Sequence, residues 1–377
     1  MEDVIKNKEM REVSEKILEF MNLSLSKDAN SLEMSRLWNT LAVRLFKLQY
    51  NHVKPYKNFC DFRFKNNINI TDWSEIPCIP TTAFKEFEIT SLDLNERIAV
   101  FYSSGTTYEK SSRHFHSEFS LKIYEESLSL WFKYCILNKS DEREQLIMLT
   151  PPPESVPHSS LVYMFATLKK KYGKENSAFF GIAETENLWK IDYQLLFSAL
   201  ENCERARSRV IILGTAFNFA HLLEYIEHKK VRFALPEGSI VFETGGYKGR
   251  SREIPKNELY KKISNYFGVS ELNIVSEYGM SELSSQAYDR FISKNEGVKS
   301  RVFRFPPWAK YNIVSPETKR PVNTGESGLL RIYDLANIFS LMAIQTDDIA
   351  VRVDDGFMLI GRAGQSEPRG CSIMAEF

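Results

Sequence analysis

No one charge sign dominates this sequence, and it contains no long apolar run. Lysine plus arginine equal aspartate plus glutamate at 49 each, so the formal net charge is 0. That balance excludes a general nucleic-acid binder, which would carry a basic excess, and a charged tail protein. A membrane span needs about 18 or more uninterrupted apolar residues. The best candidate, Val210 to Ile226, is broken by Asn218, His221 and Glu224. The N-terminus, Met1-Glu2-Asp3-Val4-Ile5-Lys6, has no apolar signal core, so a cytoplasmic location is expected. Five cysteines, an odd number, form no Cys-x-x-Cys pair and no zinc-ligand spacing. A disulfide framework is therefore excluded and reduced thiols are the default. Internal repeats and low-complexity segments are absent. Glycine is scarce, 17 residues of 377, or about 4.5% against a usual ~7%, so the places where it occurs carry information.

The chain is 43% hydrophobic and 13% aromatic, enough for a substantial core. Its 377 residues make two or three domains of about 100–200 residues, or one large elaborated one. Residues 8–22 and 32–53 carry apolar positions at helical spacing, with Trp38, Leu41, Leu45 and Leu48 in steps of three and four. A helical entry region over 1–80 is expected. From about 96 to 280, short apolar runs at 98–101, 146–149, 210–213, 240–242 and 273–275 alternate with amphipathic stretches near 117–137, 158–171, 192–206, 217–229 and 255–267. Buried strands alternating with helices predict an α/β core, 81–299, around a mostly parallel sheet. Beyond 300 the pattern changes to short alternating strands at 301–305, 329–333, 349–353 and 357–360. Asp354-Asp355-Gly356 is a tight-turn signal for a hairpin, and a small β-rich subdomain over 300–377 is expected.

In α/β sheets ligands bind beyond the carboxyl ends of the strands, so the residues after each strand matter most. After 98–102 comes Ser103-Ser104-Gly105-Thr106-Thr107, with Lys110 and Arg113 nearby. Hydroxyls, backbone N–H groups and cations in one concavity suit a phosphate. A P-loop is excluded, because no second Gly-Lys-Ser follows at its spacing. Read alone, the stretch is equally a polar strand-to-helix loop that caps the next helix. Thr244-Gly245-Gly246 ends another strand, and paired glycines let a flat ligand lie on bare backbone. Tyr278-Gly279-Met280-Ser281-Glu282 ends a third. There Tyr278 is placed to stack on a base and Glu282 to hold Mg²⁺ near phosphates. Asp347-Asp348 and Arg362 adjoin later strands and suit ribose hydroxyls or a phosphate. His114 and His116 follow the hydroxyl-rich loop, placed for capping, for packing or for contact with a carboxylate.

The order of these motifs over residues 102–370 resembles the adenylate-forming ligase superfamily. The terminal Arg369-Gly370-Cys371, the stretch Asp334-Leu335-Ala336-Asn337, and Pro151-Pro152-Pro153 with His158-Ser159-Ser160-Leu161 after it narrow this. They resemble the acyl-protein synthetases of the bacterial bioluminescence fatty-acid reductase complex. The resemblance implies an adenylate-forming-ligase-like α/β domain. Because the sequence ends at Phe377, the expectation is a chain without the superfamily's usual C-terminal domain and its catalytic lysine. It further implies that a long-chain fatty acid is activated by ATP and Mg²⁺ as acyl-adenylate, moved to Cys371 as a thioester and delivered to an acyl reductase partner. In that reading Ser103, Ser104, Gly105, Thr106 and Thr107 hold the ATP phosphates, Gly245 and Gly246 line the adenine, and Tyr278, beside Gly279, stacks on it. Ser281 contacts the α-phosphate, Glu282 binds Mg²⁺, and Asp348 takes the ribose with Arg362 beside it.

The pattern departs from the superfamily at four positions. Tyr108 stands where it has glycine and Ser111 where it has lysine, which leaves Lys110 or Arg113 to supply that charge; Ser281 replaces threonine and Asp347 replaces glycine. The chemistry is coherent nonetheless, since a carboxylate has a poor leaving group until adenylation supplies AMP, and a thiolate can then attack. Two other readings stay open: a ligase that uses coenzyme A or a carrier-protein thiol, and a non-catalytic nucleotide-binding subunit. Neither acyl chain length nor oligomeric state follows from the sequence.

Overall fold

The computed structural model describes residues 2–26, 31–65, 68–103, 111–138, 140–185, 188–245, 254–292 and 301–363. The chain opens with three helices, α1 (Glu2–Ser24), α2 (Ser31–His52) and α3 (Lys54–Phe64). In α2 the stripe Trp38, Leu41, Leu45 and Leu48 is buried, as its period demands. A two-residue strand, β1 (Ile79–Pro80), and a single helical turn, α4 (Ala83–Glu86), lead to β2 (Ala99–Tyr102) and β3 (Arg113–His116). β2 and β3 pair antiparallel, Ala99 opposite His116 and Tyr102 opposite Arg113. This corrects one expectation: the hydroxyl-rich loop joins two strands of a hairpin, not a strand to a helix. A four-residue strand reading Arg-His-Phe-His carries too little apolar signal to be seen in the sequence.

The expected alternation then follows. It runs α5 (Glu118–Cys135), β4 (Gln145–Met148), α6 (Ser160–Tyr172), β5 (Ala178–Phe179), β6 (Gly181–Thr185), β7 (Leu188–Ile191), α7 (Tyr193–Ala206), β8 (Val210–Thr215), α8 (Ala216–Lys229), β9 (Ile240–Thr244), α9 (Lys256–Phe267) and β10 (Ile274–Tyr278). Strands β5, β4, β8, β9 and β10 lie side by side in parallel, while β6 and β7 form a separate hairpin. Both faces of this parallel sheet are covered. Met148, Leu213 and Phe242 belong to one core cluster with Phe132 of α5 and Phe165 of α6. Ile147, Ile212 and Val241 belong to another with Leu200, Phe219 and Ile263 of α7, α8 and α9. Burial on both faces is why these strands read as unbroken apolar runs.

The remaining strands are β11 (Ala287–Ile292), β12 (Arg301–Arg304), β13 (Ala309–Val314), β14 (Ser327–Asp334), β15 (Ala343–Val353) and β16 (Gly356–Arg362). From β10 the sheet continues antiparallel through β11, β12, β16, β15, β14 and β13. Strands on either side of residue 300 therefore share one hydrogen-bonded sheet. β15 and β16 form the hairpin anticipated at Asp354-Asp355, with Val353 opposite Gly356. β1 joins β15 in parallel. Among the described residues no helix is long and apolar enough to cross a membrane.

One buried side chain fastens the helical entry to the late strands. Gln49 of α2 has no exposed surface. Its amide nitrogen donates to the Asn337 and Ile338 carbonyls at 2.7 and 3.0 Å, and its oxygen accepts from the Met342 N–H at 3.0 Å. All four groups would otherwise be polar and dry. Gln49→Leu keeps the volume and strands three backbone groups, so it should lower unfolding stability by roughly 3 kcal/mol in urea titration, at about 1–3 kcal/mol per unsatisfied group.

Candidate active site

The parallel strands end in register. Thr215 of β8 is opposite Thr244 of β9, which is opposite Glu277 of β10. Thr215 turns inward to cap α8, accepting from the Asn218 N–H at 3.0 Å. Gly245 follows β9 with φ +68°, a left-handed conformation that favours glycine. Gly279 follows Tyr278, and a side chain there would overlap the Glu277 carboxylate. At Gly245 the chain turns sharply, and at Gly279 another group lies against its backbone.

Tyr278 is half-buried, with Phe303, Phe305 and Phe357 around its ring at 5.9–6.2 Å between centroids. Its hydroxyl donates to Asp348 Oδ2 at 2.7 Å. Arg362, the cross-strand partner of Asp348, donates from Nε to Oδ1 at 2.8 Å. Burial, with the Asp348 carboxylate beside it, pushes the phenol's pKa up and keeps it protonated. Asp348 is buried, whereas its neighbour Asp347 is exposed. Of the two adjacent acids, only Asp348 joins Tyr278 and Arg362. The Arg362 side chain keeps 65% of its surface exposed, so part of its guanidinium faces solvent.

Three residues on, Ser281 and Glu282 are both buried, and Ser281 Oγ donates to Glu282 Oε2 at 3.1 Å. What holds this turn is a second turn, the Asp334–Asn337 stretch between β14 and β15. Asp334 accepts from the Ser284 N–H at 3.0 Å, from Ser285 Oγ at 2.7 Å and from the Ala336 N–H at 3.0 Å. Asn337 donates to the Glu282 carbonyl at 2.7 Å and accepts from Ser284 Oγ at 2.6 Å. Trp308 Nε1 donates to Ser127 Oγ and Ser285 Oγ at 2.8 and 3.1 Å. Burial pushes the Asp334 carboxyl up to about 6, against the pull of these donors. The supporting role of Asp334 and Asn337 has no local signal in the sequence, because their partners lie about fifty residues away.

The β2–β3 hairpin meets the same turn. At its stem Ser103 and Ser112 bond each other, the Ser112 N–H donating to Ser103 Oγ at 2.9 Å. His114 is buried, and its Nδ1 lies 2.7 Å from the Ser281 carbonyl. His116 faces Ser120 in the first turn of α5 at 3.2 Å. Arg113, one candidate for the phosphate charge, pairs with Glu88 at 3.5 Å. Glu88 also takes Arg97 at 2.7 Å. Ser104, Gly105, Thr106, Thr107, Lys110, Gly246 and Cys371 lie outside the described residues. No cluster of three or more metal-ligating side chains occurs among the described residues.

This mixed sheet with helices on its faces matches the fold of solved adenylate-forming ligases. A solved 2-hydroxyisobutyryl-CoA ligase, crystallised open with 2-HIB-AMP and CoA, superposes with TM-score 0.60 at 11% identity, over 89% of this chain and 76% of that one. A family model described as acyl-protein synthetase, LuxE, matches residues 2–376. The chain belongs to the LuxE acyl-protein synthetase family. Among curated proteins it is 23% identical to the long-chain-fatty-acid–luciferin-component ligase of Aliivibrio fischeri, over 85% of this chain and 80% of that protein. The protein of the same name from Vibrio harveyi is 22% identical, over 86% and 82%.

Glu277 precedes Tyr278 in β10, and the sequence alone assigns it no role. It is buried, with the Thr244 hydroxyl bonded to it. Burial pushes its pKa up to about 7. An acid with a folded pKa above its unfolded value of about 4.3 stabilises the fold fully below that value, and the contribution fades as pH rises through 7. Glu277→Gln, which does not titrate, should therefore gain stability relative to wild type as pH rises from 5.5 to 8. Urea titrations of both proteins at the two pH values measure this; an identical difference at both would place the carboxyl's titration near its ordinary range.

Proposed function

We propose that this protein activates a long-chain fatty acid with ATP and carries the acyl group on its own Cys371 as a thioester for an acyl reductase. The observation that carries the reading is the Tyr278–Asp348–Arg362 cluster, three residues from the buried Ser281–Glu282 pair. It offers an aromatic ring for a base, a carboxylate for ribose hydroxyls, and a hydroxyl and an acid for a metal-bound phosphate. Family membership and the names of the Aliivibrio and Vibrio relatives support the substrate class.

In the first step a carboxylate oxygen of the fatty acid attacks the α-phosphorus of ATP, and the bond to pyrophosphate breaks. Ser281 bonds an α-phosphate oxygen, while Ser103 to Thr107, with Lys110 or Arg113, hold the outer phosphates. Gly245 and Gly246 leave bare backbone against the adenine beside Tyr278. In the second step the Cys371 thiolate attacks the acyl carbonyl and the bond to AMP breaks. The thiol's proton goes to solvent and a thioester remains. The thiolate is the attacking form, and a cation, that of Arg369 or Arg362, would favour it.

One buried carboxylate fits Mg²⁺ better than a complete protein cage would, because this ion takes one or two carboxylates plus substrate phosphates. Glu282 is the residue that would hold it. The ion would neutralise charge on the phosphate oxygens.

Two variants test the reading. Cys371→Ser should abolish covalent labelling by radioactive fatty acid and leave fatty-acid-dependent ATP–pyrophosphate exchange running; normal labelling would remove the cysteine from the mechanism. Glu282→Gln should depress the exchange itself by roughly a hundredfold, the size seen when one preorganised electrostatic group is removed. An unchanged rate with Mg²⁺ would end its metal role.

A further inference from the structure

His114 lies in β3, two residues beyond the stem of the hydroxyl-rich loop, and 167 residues from its partner. That partner is the backbone carbonyl of Ser281, 2.7 Å from Nδ1. A carbonyl only accepts, so Nδ1 carries the hydrogen and the tautomer is fixed. Burial holds the imidazole's pKa down near 4, which keeps the ring neutral at ordinary pH. The ring of His116 lies 4.3 Å away, centroid to centroid, and His116 is itself fastened to Ser120. Packing on one side and a hydrogen bond on the other leave the His114 ring one orientation.

The geometry is a bridge. On one bank, the stem of the loop is closed by Ser103 and Ser112. On the other, Ser281 presents its hydroxyl to Glu282 while its carbonyl is held by the imidazole. Asn337 holds the next carbonyl, that of Glu282, so the Ser281–Glu282 backbone is gripped from two sides, and His114 supplies the only hairpin grip among the described hydrogen bonds.

We propose that His114 is a positioning residue that locks the β2–β3 hairpin to the Ser281–Glu282 turn, so that both loops meet a nucleotide in one fixed spacing. This rests on the ligase reading above. Without the bond, the β2–β3 strands and the Ser281–Glu282 turn each keep their own hydrogen bonds, but their separation is no longer set. Nucleotide binding would weaken modestly, and the chemical step, which depends on placing the α-phosphate between them, would fall further.

Asparagine and glutamine separate this role from packing. An Asn amide nitrogen reaches the place of Nδ1, whereas a Gln amide reaches that of Nε2. The experiment measures fatty-acid-dependent ATP–pyrophosphate exchange and calorimetric ATP binding for wild type, His114→Asn, His114→Gln and His114→Phe, with melting temperatures alongside. Losing one buried hydrogen bond of this kind corresponds to roughly a tenfold to hundredfold effect. The expectation is a loss of that size in kcat for His114→Phe and His114→Gln, a smaller rise in KM for ATP, and recovery of most of the rate in His114→Asn. Equal rates in the Asn and Phe variants, or losses that simply follow the melting temperatures, would overturn the proposal. A wild type that binds ATP yet exchanges no pyrophosphate with any carboxylic acid tells against the ligase reading alone, and the bridge is then judged by whether Asn, unlike Phe and Gln, keeps wild-type ATP affinity. A wild type that binds no ATP overturns both.

Discussion

The buried carboxylate of Asp334 organises the candidate site. It has no cation within salt-bridge distance among the described residues, and is satisfied by hydroxyl and backbone donors from Ser284, Ser285 and Ala336. A buried charge of this kind is tolerated only when its donors are all in place. The Ser284–Ser285 turn and the Asp334–Asn337 turn are therefore mutually dependent. Since Asn337 also reaches the Glu282 carbonyl, the acid expected to meet Mg²⁺ is oriented by a turn fifty residues downstream. Gln49 extends the dependence to the entry helices by bonding the same downstream turn.

Around this hub the sheet performs two tasks. Its parallel half, buried on both faces, brings Thr215, Thr244 and Glu277 to one edge. Its antiparallel half carries Asp348 and Arg362 back to Tyr278 at the same edge. The polar side chains at this edge are not free. Tyr278 is occupied by Asp348, Asp348 by Arg362, and Ser281 by Glu282. Groups already held in hydrogen bonds cost little further ordering when a ligand replaces a partner, which is the physical content of a preorganised site.

The burial of carboxyls close to this edge has a consequence for pH. Glu277 and Glu243, on adjacent strands, are both pushed up to about 7 by burial. They face opposite sides of the sheet, Glu277 toward Thr244 and Glu243 toward Tyr260 of α9. Burial that raises two carboxyls on adjacent strands makes the packing under these strand ends responsive to proton concentration.

Much of the architecture is legible in one dimension because its periods are local. The apolar runs at 210–213 and 240–242 declare strands buried on both faces, and the Trp38–Leu48 stripe declares α2. The strand-end motifs at Gly245, Tyr278–Glu282 and Asp348 stand out because glycines, hydroxyls and acids interrupt an otherwise apolar texture. The short strand β3 escapes, since four residues of Arg-His-Phe-His have no period to detect. The resemblance named Asp348 rather than Asp347, but the physical reason is tertiary, because adjacent acids differ only in which face of β15 they occupy. The roles of His114, Gln49, Asp334 and Glu277 come from tertiary structure alone. Each is a polar residue whose partner lies tens to hundreds of positions away, and burial, not spacing, gives such a hydrogen bond its strength.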